Sequence, residues 1–290
     1  MMSRLKKLIV ILGPTASGKS ELAIKLSKKF KGEIVSADSR QIYKEMDIGT
    51  AKSKEPQYLI NIIKPNQEFT LAEYKELAIN KINEIKIPFL VGGTGLYIQA
   101  IVDNLDIPQV KPNKELRKEL EKLNSEQLFK KLKKLDPNII IDKNNKRRLI
   151  RAIEICILTK KPFSEQKRKG KPIFDILQIG IKLNKKTLDE KINQRVEKMF
   201  EAGLINEVKN LLKKYPSDLP ALSGIGYKEL ITYLNTELNT ELILNKTKEL
   251  IKLHTRQYAK RQMTWFKRDK RIKWIKNYQE AKELVEKFLS

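Results

Sequence analysis

Two of the residue types that build metal centres and catalytic triads are almost absent from this sequence. The 290 residues include one cysteine, Cys156, and one histidine, His254. A lone cysteine excludes a disulfide framework and a multi-cysteine zinc site, and it is typical of a chain that works in a reducing cytosol. A lone histidine excludes a histidine-based triad and a multi-histidine metal site.

Long apolar segments are also missing. No run reaches 18 apolar residues, which is about the length that predicts a transmembrane helix. The N-terminal apolar run, Leu8–Leu12, is too short to be the core of a signal peptide. We therefore expect a cytoplasmic protein that does not contact a membrane.

Acidic residues are too few to balance the basic ones. The chain holds 60 lysine and arginine residues against 35 aspartate and glutamate residues, a formal net charge of +25. Residues 1–105 carry 16 basic and 11 acidic side chains, whereas residues 106–290 carry 44 and 24. This excess favours a polyanionic partner such as nucleic acid. The alternative is a lysine-rich proteome in the source, which would raise the count without any function.

The segment after Leu8–Leu12 has the spacing of a phosphate-binding loop, G-x-x-x-x-G-K-[ST]. Its glycines let successive N–H groups point inward, and the following helix N-terminus helps them to hold phosphate oxygens. Lys19 adds a mobile positive charge, and the Ser20 hydroxyl can bind magnesium. We therefore predict a phosphate or diphosphate site, here called the phosphate loop, at Gly13, Pro14, Thr15, Ala16, Ser17, Gly18, Lys19 and Ser20.

The order of the apolar runs predicts an α/β fold. Short buried strands are predicted at residues 8–12, 33–37, 87–91 and 176–181. We expect a P-loop NTPase-like core with a mostly parallel sheet flanked by helices, formed by residues 1–109 and by residues 176–290 with their C-terminal helices. Residues 110–175 are lysine-rich and helical in period, so they predict an inserted all-helical domain.

A carboxylate and a glycine-rich turn follow two of these strands. The carboxyl ends of strands in open α/β sheets face the ligand crevice, so Asp38 is placed to reach whatever the phosphate loop holds. It could bind magnesium through water, act as a general base, or cap the next helix. After Val91, Gly92 and Gly93 precede Thr94, where a motor ATPase or GTPase normally carries an aspartate. This pattern favours group transfer over nucleotide hydrolysis.

Basic residues recur in two predicted helices. One helix carries three arginines without an interleaved acid: Arg147, Arg148 and Arg151. They suit contacts with phosphate groups, or they form a solvated face. The last long helix interleaves basic residues with Tyr258, Trp265 and Phe266, which could stack on RNA bases or pack in the core.

Together these segments resemble the tRNA dimethylallyltransferase family, also called tRNA isopentenyltransferase. The matching segments follow the family order over nearly the whole chain: Gly13–Ser20, Asp38–Tyr43, Met46–Lys52, Leu90–Tyr97, Arg148–Glu154, Gly224–Glu229 and Thr255–Phe266. The resemblance implies transfer of a dimethylallyl group from dimethylallyl diphosphate to the exocyclic amine of the adenine just 3′ of the anticodon in tRNA, with Mg²⁺. The lone cysteine excludes the zinc finger of eukaryotic relatives and indicates the bacterial type.

The resemblance also implies roles for individual residues. Lys19, with Mg²⁺ on Ser20, would stabilise the leaving diphosphate, and Asp38 would take a proton from the attacking amine. Thr94 would be the third catalytic residue. The residues that it implies against tRNA are Asp38, Ser39, Arg40, Gln41, Thr94, Arg117, Arg147, Arg148, Leu149, Ile150 and Arg151. The insert at 110–175 would then be a tRNA-binding domain, and we expect a monomer.

One position departs from the family pattern. Some members carry an arginine where this chain has Ser223, so no catalytic arginine is assigned there.

Three other functional hypotheses stay open. A P-loop small-molecule or nucleoside kinase would use the same loop, with Asp38 as the base for a hydroxyl. The remaining hypotheses are an RNA-binding protein with a regulatory nucleotide site and a prenyltransferase acting on free adenine nucleotides.

Overall fold

A five-stranded sheet organises the fold. The computed structural model describes residues 5–166, 169–236 and 240–290. The strands are β1 (Lys6–Leu12), β2 (Glu33–Ser36), β3 (Pro88–Gly92), β4 (Phe174–Ile181) and β5 (Lys273–Ile275). They lie in the order β2-β3-β1-β4-β5, and each neighbouring pair is parallel. The predicted α/β fold with a mostly parallel sheet is confirmed, and β5 is a strand that the sequence analysis misses.

The apolar run before the phosphate loop forms the central strand. In β1, Ile11 lies opposite Val91 of β3 on one side and Ile179 of β4 on the other. All three side chains are buried. Parallel strands that are covered on both faces need continuous apolar runs rather than alternating ones. This requirement explains why the run from Leu8 to Leu12 contains no polar residue.

Helices connect and cover the strands. In chain order they are α1 (Lys19–Phe30), α2 (Leu71–Glu84), α3 (Gly95–Val102), α4 (Lys114–Glu121), α5 (Ser125–Leu135), α6 (Lys146–Thr159), α7 (Phe163–Gln166), α8 (Lys185–Glu201), α9 (Leu204–Lys214), α10 (Tyr227–Leu234), α11 (Glu241–Phe266) and α12 (Tyr278–Leu289). The sequence analysis does not predict α10 or α12. None of the described helices combines the length and the apolar character that a membrane crossing needs.

The chain divides into two compact units. The first comprises Met1–Phe69, Glu76–Gln99 and Ile173–Ser290, with its described part beginning at Leu5, and it contains the sheet. The second comprises Thr70–Lys75 and Ala100–Pro172. The range predicted for the insert, 110–175, overlaps the second unit except at its last three residues.

The second unit has a helical core of its own. Apolar residues recur at helical spacing in α4, α5 and α6, so each helix has one face to bury. The buried members of the core include Leu120, Leu128, Leu132, Leu149, Ile153 and Cys156. Burial raises the pKa of the Cys156 thiol, so this cysteine packs as an apolar residue.

A loop covers one edge of the sheet. β2 is the edge strand, and the backbone of Tyr58 pairs with it outside the sheet. Ser36 N donates to Tyr58 O at 2.9 Å, and Tyr58 N donates to Ile34 O at 2.8 Å. Ser36 N and Ile34 O on the outer side of this strand are therefore hydrogen-bonded within the chain.

Gly92 is required where β3 ends. A Cβ at this position would lie 2.1 Å from Ala37 O and 2.4 Å from Ala37 C, and both atoms belong to the backbone.

We expect Gly92→Ala to lower the free energy of unfolding by about 3 kcal/mol, the upper part of the range for overpacking. Urea unfolding measures this change. The control is Gly224→Ala, because φ there is −64° and the nearest atom to the new Cβ is 3.4 Å away. Equal stabilities for the two variants would contradict the prediction.

Candidate active site

Three parallel strands deliver polar groups to the same end of the sheet. The phosphate loop follows β1, Asp38 follows β2, and Thr94 follows β3. The last two segments are joined through the backbone: Ala37 N donates to Val91 O at 2.7 Å, and Thr94 N donates to Ala37 O at 3.2 Å. This approach is possible because Gly92 has no side chain. Backbone contact at the strand ends thus places Asp38 beside the turn after β3, and Asp38 lines one cavity with Thr15, Lys19 and Ser20 of the phosphate loop.

The phosphate loop is held from α11 by Gln262, a residue that the sequence analysis does not single out. Its Oε1 accepts a hydrogen bond from Thr15 N at 2.8 Å, and its Nε2 donates to Gly93 O at 2.8 Å. One buried amide therefore fixes the spacing between the loop and the turn after β3. The N-terminal residue of α1 follows Gly18, whose φ of +87° lies in the left-handed region that favours glycine.

One buried polar atom of the loop has no partner within the chain. Among the described residues, Ser17 Oγ is the buried side-chain oxygen or nitrogen for which the structure gives no hydrogen bond. Buried polar groups are normally paired, so an unpaired hydroxyl needs an explanation. A ligand oxygen in the loop is the partner that the sequence motif predicts.

A cavity of about 370 Å³ opens beside the loop. Lys19 and Ser20 line it together with Asp38 and with Arg195, which comes from α8. Lys19, Ser20 and Arg195 also line a second cavity of about 800 Å³ on the first unit. The cations of the site are therefore accessible from two cavities.

Two cations face each other in this site. The pKa of Lys19 is lowered to about 8, first because the ammonium is desolvated and second because Arg195 is nearby; Asp38 opposes the shift. Desolvation also lowers the pKa of Arg195, and again the charge of Asp38 opposes the shift. Burying two like charges together is unfavourable unless an anion joins them. The site is thus organised to receive a negatively charged group.

Asp38 lines the cavity, and Thr94 contacts the residue that follows it. Asp38 Oδ1 accepts a hydrogen bond from Arg40 N at 2.8 Å, which fixes the carboxylate relative to its own chain. Thr94 Oγ1 accepts from Ser39 N at 3.0 Å. Tyr258 of α11 adds a hydroxyl here: burial, then the negative charge of Asp38, raise its pKa to about 12, while a hydrogen bond with Thr94 acts against them. Tyr258 is therefore neutral and able to donate at physiological pH.

The aromatic residues of α11 have different environments. Tyr258 lines the cavity, whereas Phe266 is buried in the core. Trp265 is 37% exposed, and its indole packs so closely on Gly95 that a Cβ there would lie 2.4 Å from Trp265 Cδ1. Phe266 therefore packs in the core, and base stacking stays a prediction for Tyr258 and Trp265.

Arg40 and Gln41 are engaged within the first unit. Arg40 Nη1 donates to Pro220 O at 2.7 Å, and its Nη2 donates to Ser223 Oγ at 3.2 Å. A guanidinium group therefore bonds to the serine at the position where some family members have arginine. Gln41 Nε2 donates to Thr50 O at 3.2 Å, and its Oε1 accepts from Ser36 Oγ at 3.1 Å.

In the second unit, two of the predicted RNA-contacting arginines bind a buried carboxylate. Arg117 donates to both oxygens of Glu154, at 2.9 and 2.7 Å, and Arg151 forms a second ion pair with it. Glu154 is fully buried, and Asn113 N also donates to it at 2.7 Å. Burial alone would raise the pKa of Glu154, but these hydrogen bonds outweigh it and lower that pKa. Glu154 ends the matching segment Arg148–Glu154, but the sequence analysis does not pair it with these arginines.

The other predicted RNA-contacting residues of α6 fall into an exposed pair and a buried pair. Arg147 and Arg148 are exposed at the start of α6. Leu149 and Ile150 are buried in the helical core, so their side chains pack inside the second unit. For these two residues an RNA contact through the side chain is excluded by burial.

Arg195 has a weak sequence signal. It lies on α8 among Ile192, Val196 and Met199, which recur at helical spacing and turn one face inward. A charged residue inside an apolar stripe marks a buried, partnered charge. The sequence analysis does not consider this position.

The geometry agrees with comparisons to known proteins. A family model described as IPP transferase matches residues 41–269, and one described as isopentenyl transferase matches residues 6–59. The chain belongs to the IPP transferase family. A member named tRNA dimethylallyltransferase, from Halothermothrix orenii, is 45% identical over 97% of this chain and 93% of its own.

Solved structures of IPP transferases share the fold. The tRNA isopentenylpyrophosphate transferase of Bacillus halodurans superposes with a TM-score of 0.71 and 35% identity, covering 98% of this chain and 95% of its own. A eukaryotic dimethylallyltransferase, solved acting on tRNA, gives a TM-score of 0.76 and 31% identity over 90% of this chain and 69% of its own. These neighbours support the transferase hypothesis over the kinase alternative.

The pairing of Lys19 with Arg195 predicts a pH dependence. In the free protein Lys19 loses its charge as the pH rises through about 8. The affinity for inorganic pyrophosphate should therefore fall above that pH, and the decrease should approach about tenfold for each pH unit. Because Arg195 lowers the pKa of Lys19, Arg195→Gln should move this midpoint to higher pH. Calorimetric titration of both proteins across the range tests this, since pyrophosphate itself titrates identically in each.

Arg256→Gln is the control for this prediction. Arg256 donates to Asn193 Oδ1 at 2.7 Å and is not among the residues that line either cavity. Its midpoint should match the wild type. An Arg195→Gln midpoint that also stays at the wild-type value would show that the two cations do not interact.

Proposed function

We propose that this chain transfers a dimethylallyl group from dimethylallyl diphosphate to the exocyclic amine of the adenine 3′-adjacent to the anticodon of tRNA. The observation that carries the proposal is one cavity lined by the cations of a phosphate loop and by the carboxylate of Asp38. A base and a leaving-group site in one cavity are what direct transfer to a nucleophile requires. The names of the matched relatives support the same reaction class.

The phosphate loop serves the leaving group. As the bond between the prenyl carbon and the diphosphate oxygen breaks, negative charge accumulates on the diphosphate. The loop N–H groups, Lys19 and Arg195 hold that charge, and Ser17 Oγ is free to join them. Cations that are already fixed in place stabilise developing charge without reorganising.

The donor set around Ser20 fits Mg²⁺. Within the described ranges, no group of three or more histidine, cysteine, aspartate or glutamate residues could hold a metal ion. Mg²⁺ commonly takes one or two protein oxygens and completes its shell with substrate phosphates and water. We propose that Ser20 Oγ is the protein ligand. When bound, the ion would neutralise charge on the leaving diphosphate.

Asp38 serves the acceptor. As the adenine amine bonds to the prenyl carbon it must lose a proton, and Asp38 takes it. The hydrogen bond from Arg40 N keeps one oxygen of the carboxylate in place. Thr94 and the neutral Tyr258 supply hydroxyl groups beside this carboxylate, where they can orient the base. The adenine has to leave its stack in the anticodon loop to enter the cavity.

The second unit supplies positive charge for the tRNA backbone. Residues 110–175 contain 20 basic and 9 acidic side chains. Arg147 and Arg148 are exposed and so can reach phosphate groups, whereas Arg117 and Arg151 are committed to Glu154. We propose that the exposed pair makes the contacts and that the buried ion pairs hold α4 against α6. We also propose a monomer, and the lone cysteine suits the cytoplasm.

The direct test is an assay without ATP. Purified protein, Mg²⁺, unmodified tRNA and dimethylallyl diphosphate should give prenylated adenosine next to the anticodon, detected by nucleoside mass spectrometry. Omitting Mg²⁺ should reduce the yield. Absence of product, with ATP-dependent phosphorylation of a small acceptor instead, would replace this function by a kinase activity.

Replacement of the base gives a quantitative prediction. Asp38→Asn keeps the shape but cannot take a proton, so turnover should fall by about 10²–10⁴-fold while tRNA affinity stays within a factor of two to three. Single-turnover kinetics and filter binding measure the two quantities. Asp218→Asn removes the same charge at an exposed position and should leave both unchanged. A parallel loss of affinity in Asp38→Asn would remove the base role.

The exposed arginines give a prediction about salt. Arg148→Ala should weaken tRNA binding and reduce the slope of log affinity against log salt by about 0.7–0.9, the value of one phosphate contact. The matched control is Lys130→Ala, which removes one exposed charge from α5. If both variants change the slope equally, Arg148 contributes only to the general charge of the unit.

A further inference from the structure

A single carboxylate lies behind the wall of the cavity. Glu207, on α9, accepts hydrogen bonds from three successive backbone N–H groups: Asp47 at 2.8 Å, Ile48 at 2.7 Å and Gly49 at 3.1 Å. It also accepts the hydroxyl of Tyr227 at 2.7 Å. Three consecutive inward N–H groups form a small anion-binding concavity. Here the anion is supplied by the protein itself.

The segment that Glu207 holds forms part of both cavities. Gly49, Thr50 and Ala51 line the cavity that contains Asp38 and Lys19. Asp47 and Ile48 line the second cavity. Residues 47–51 are here called the wall loop.

The other partner of Glu207 anchors the opposite wall. Tyr227 is the first residue of α10, and Gly226 separates it from Gly224–Ile225, which line the first cavity with Lys228. Its ring lies so close to Gly49 that a Cβ there would be 2.5 Å from two ring atoms. Burial and the charge of Glu207 raise the pKa of Tyr227, so its hydroxyl stays a donor. One carboxylate therefore joins two walls that are far apart in sequence.

Glu207 does not line either of these cavities. It belongs instead to a separate surface groove with Glu45 and Asn210. Its four hydrogen bonds go to the wall loop and to Tyr227. A role in the reaction must therefore be indirect.

We propose that Glu207 is a positioning residue, whose fixed negative charge sets the distance between the wall loop and the Gly224–Lys228 segment around the bound substrates. The proposal rests on the transferase function given above. Small displacements of groups around a reacting pair lower turnover strongly, because orientation supplies much of the rate. The affinity for tRNA has a different origin, in phosphate contacts, and should be insensitive to Glu207.

Glu207→Gln tests this arrangement with little change in shape. A carboxylate accepts on both oxygens, whereas the amide turns one end into a donor that faces N–H groups. We expect kcat/KM for dimethylallyl transfer to fall about 10–100-fold, with kcat carrying most of the loss and tRNA Kd unchanged within about twofold. Amide hydrogen exchange at residues 47–49 should become faster, while exchange in β1 and β3 stays slow.

Glu45→Gln is the matched control. Glu45 lines the same groove and also accepts a hydrogen bond from a tyrosine hydroxyl, that of Tyr215, at 2.8 Å. Unlike Glu207, it is not hydrogen-bonded to the amides of residues 47–49. It should retain wild-type turnover. Tyr227→Phe, which removes one of the four donors, should lower kcat about three- to tenfold and serves as the second variant if Glu207→Gln fails to fold.

The outcomes distinguish a failure of the transferase function from a failure of the positioning role of Glu207. If wild-type protein does not prenylate tRNA, the transferase function fails, and the exchange experiment still decides whether Glu207 holds the wall loop. If the wild type is active and Glu207→Gln or Tyr227→Phe retains wild-type kcat, the positioning role is overturned. Loss of stability with unchanged kcat in the folded fraction gives Glu207 a structural role only and equally overturns it.

Discussion

The site depends on the close backbone approach between the ends of β2 and β3. Ala37 exchanges hydrogen bonds with Val91 and Thr94, and Gly92 leaves the room that this contact needs. Because Asp38 is the next residue after Ala37, its position follows from the sheet and not from a mobile loop. A catalytic group carried by strands is held more precisely than one carried by a loop. Asp38 and the turn after β3 are thereby held in place at the end of the sheet from which the phosphate loop also starts.

The helices after β4 complete what the sheet begins. α8 brings Arg195 beside Lys19, α11 brings Gln262 and Tyr258, and α9 brings Glu207 behind the wall loop. Each of these residues acts on a segment from the first third of the chain. The C-terminal part of the first unit is thus a second layer of the site, which supplies one cation and several hydrogen bonds that the N-terminal motifs do not contain. The mutual repulsion of Lys19 and Arg195 makes the empty site unfavourable, and an anionic ligand relieves this strain.

Local signals in the sequence predict the site residues that follow β1 and β2, but not those that the later helices supply. The phosphate loop and Asp38 are found because each directly follows an apolar strand run, and the rule that strand ends meet at one edge of the sheet then brings them together. Arg195, Glu207 and Gln262 lie inside helices whose periodicity predicts the helix but not its partner. The short strand β5 and the helix α12 are missed because three residues and a terminal amphipathic segment give little signal against the charged background. Arg117 looks like a free cation in the sequence, since Glu154 becomes its neighbour only when α4 packs on α6. Arg151 already has Glu154 one helical turn further along α6, and only the structure shows that this acid is buried and paired.

The coverage of β2 by the Tyr58 segment has a consequence for the behaviour of the protein in concentrated solution. An edge strand with open amide groups is a template for pairing with other chains, which leads to aggregation. Here Tyr58 occupies that template on one side of the sheet, and on the other side β5 is only three residues long and begins with a lysine. Both are devices by which natural sheets avoid self-association. A strongly basic chain gathers on polyanions at high local density, so protected sheet edges would keep molecules that crowd together there from joining into fibrils.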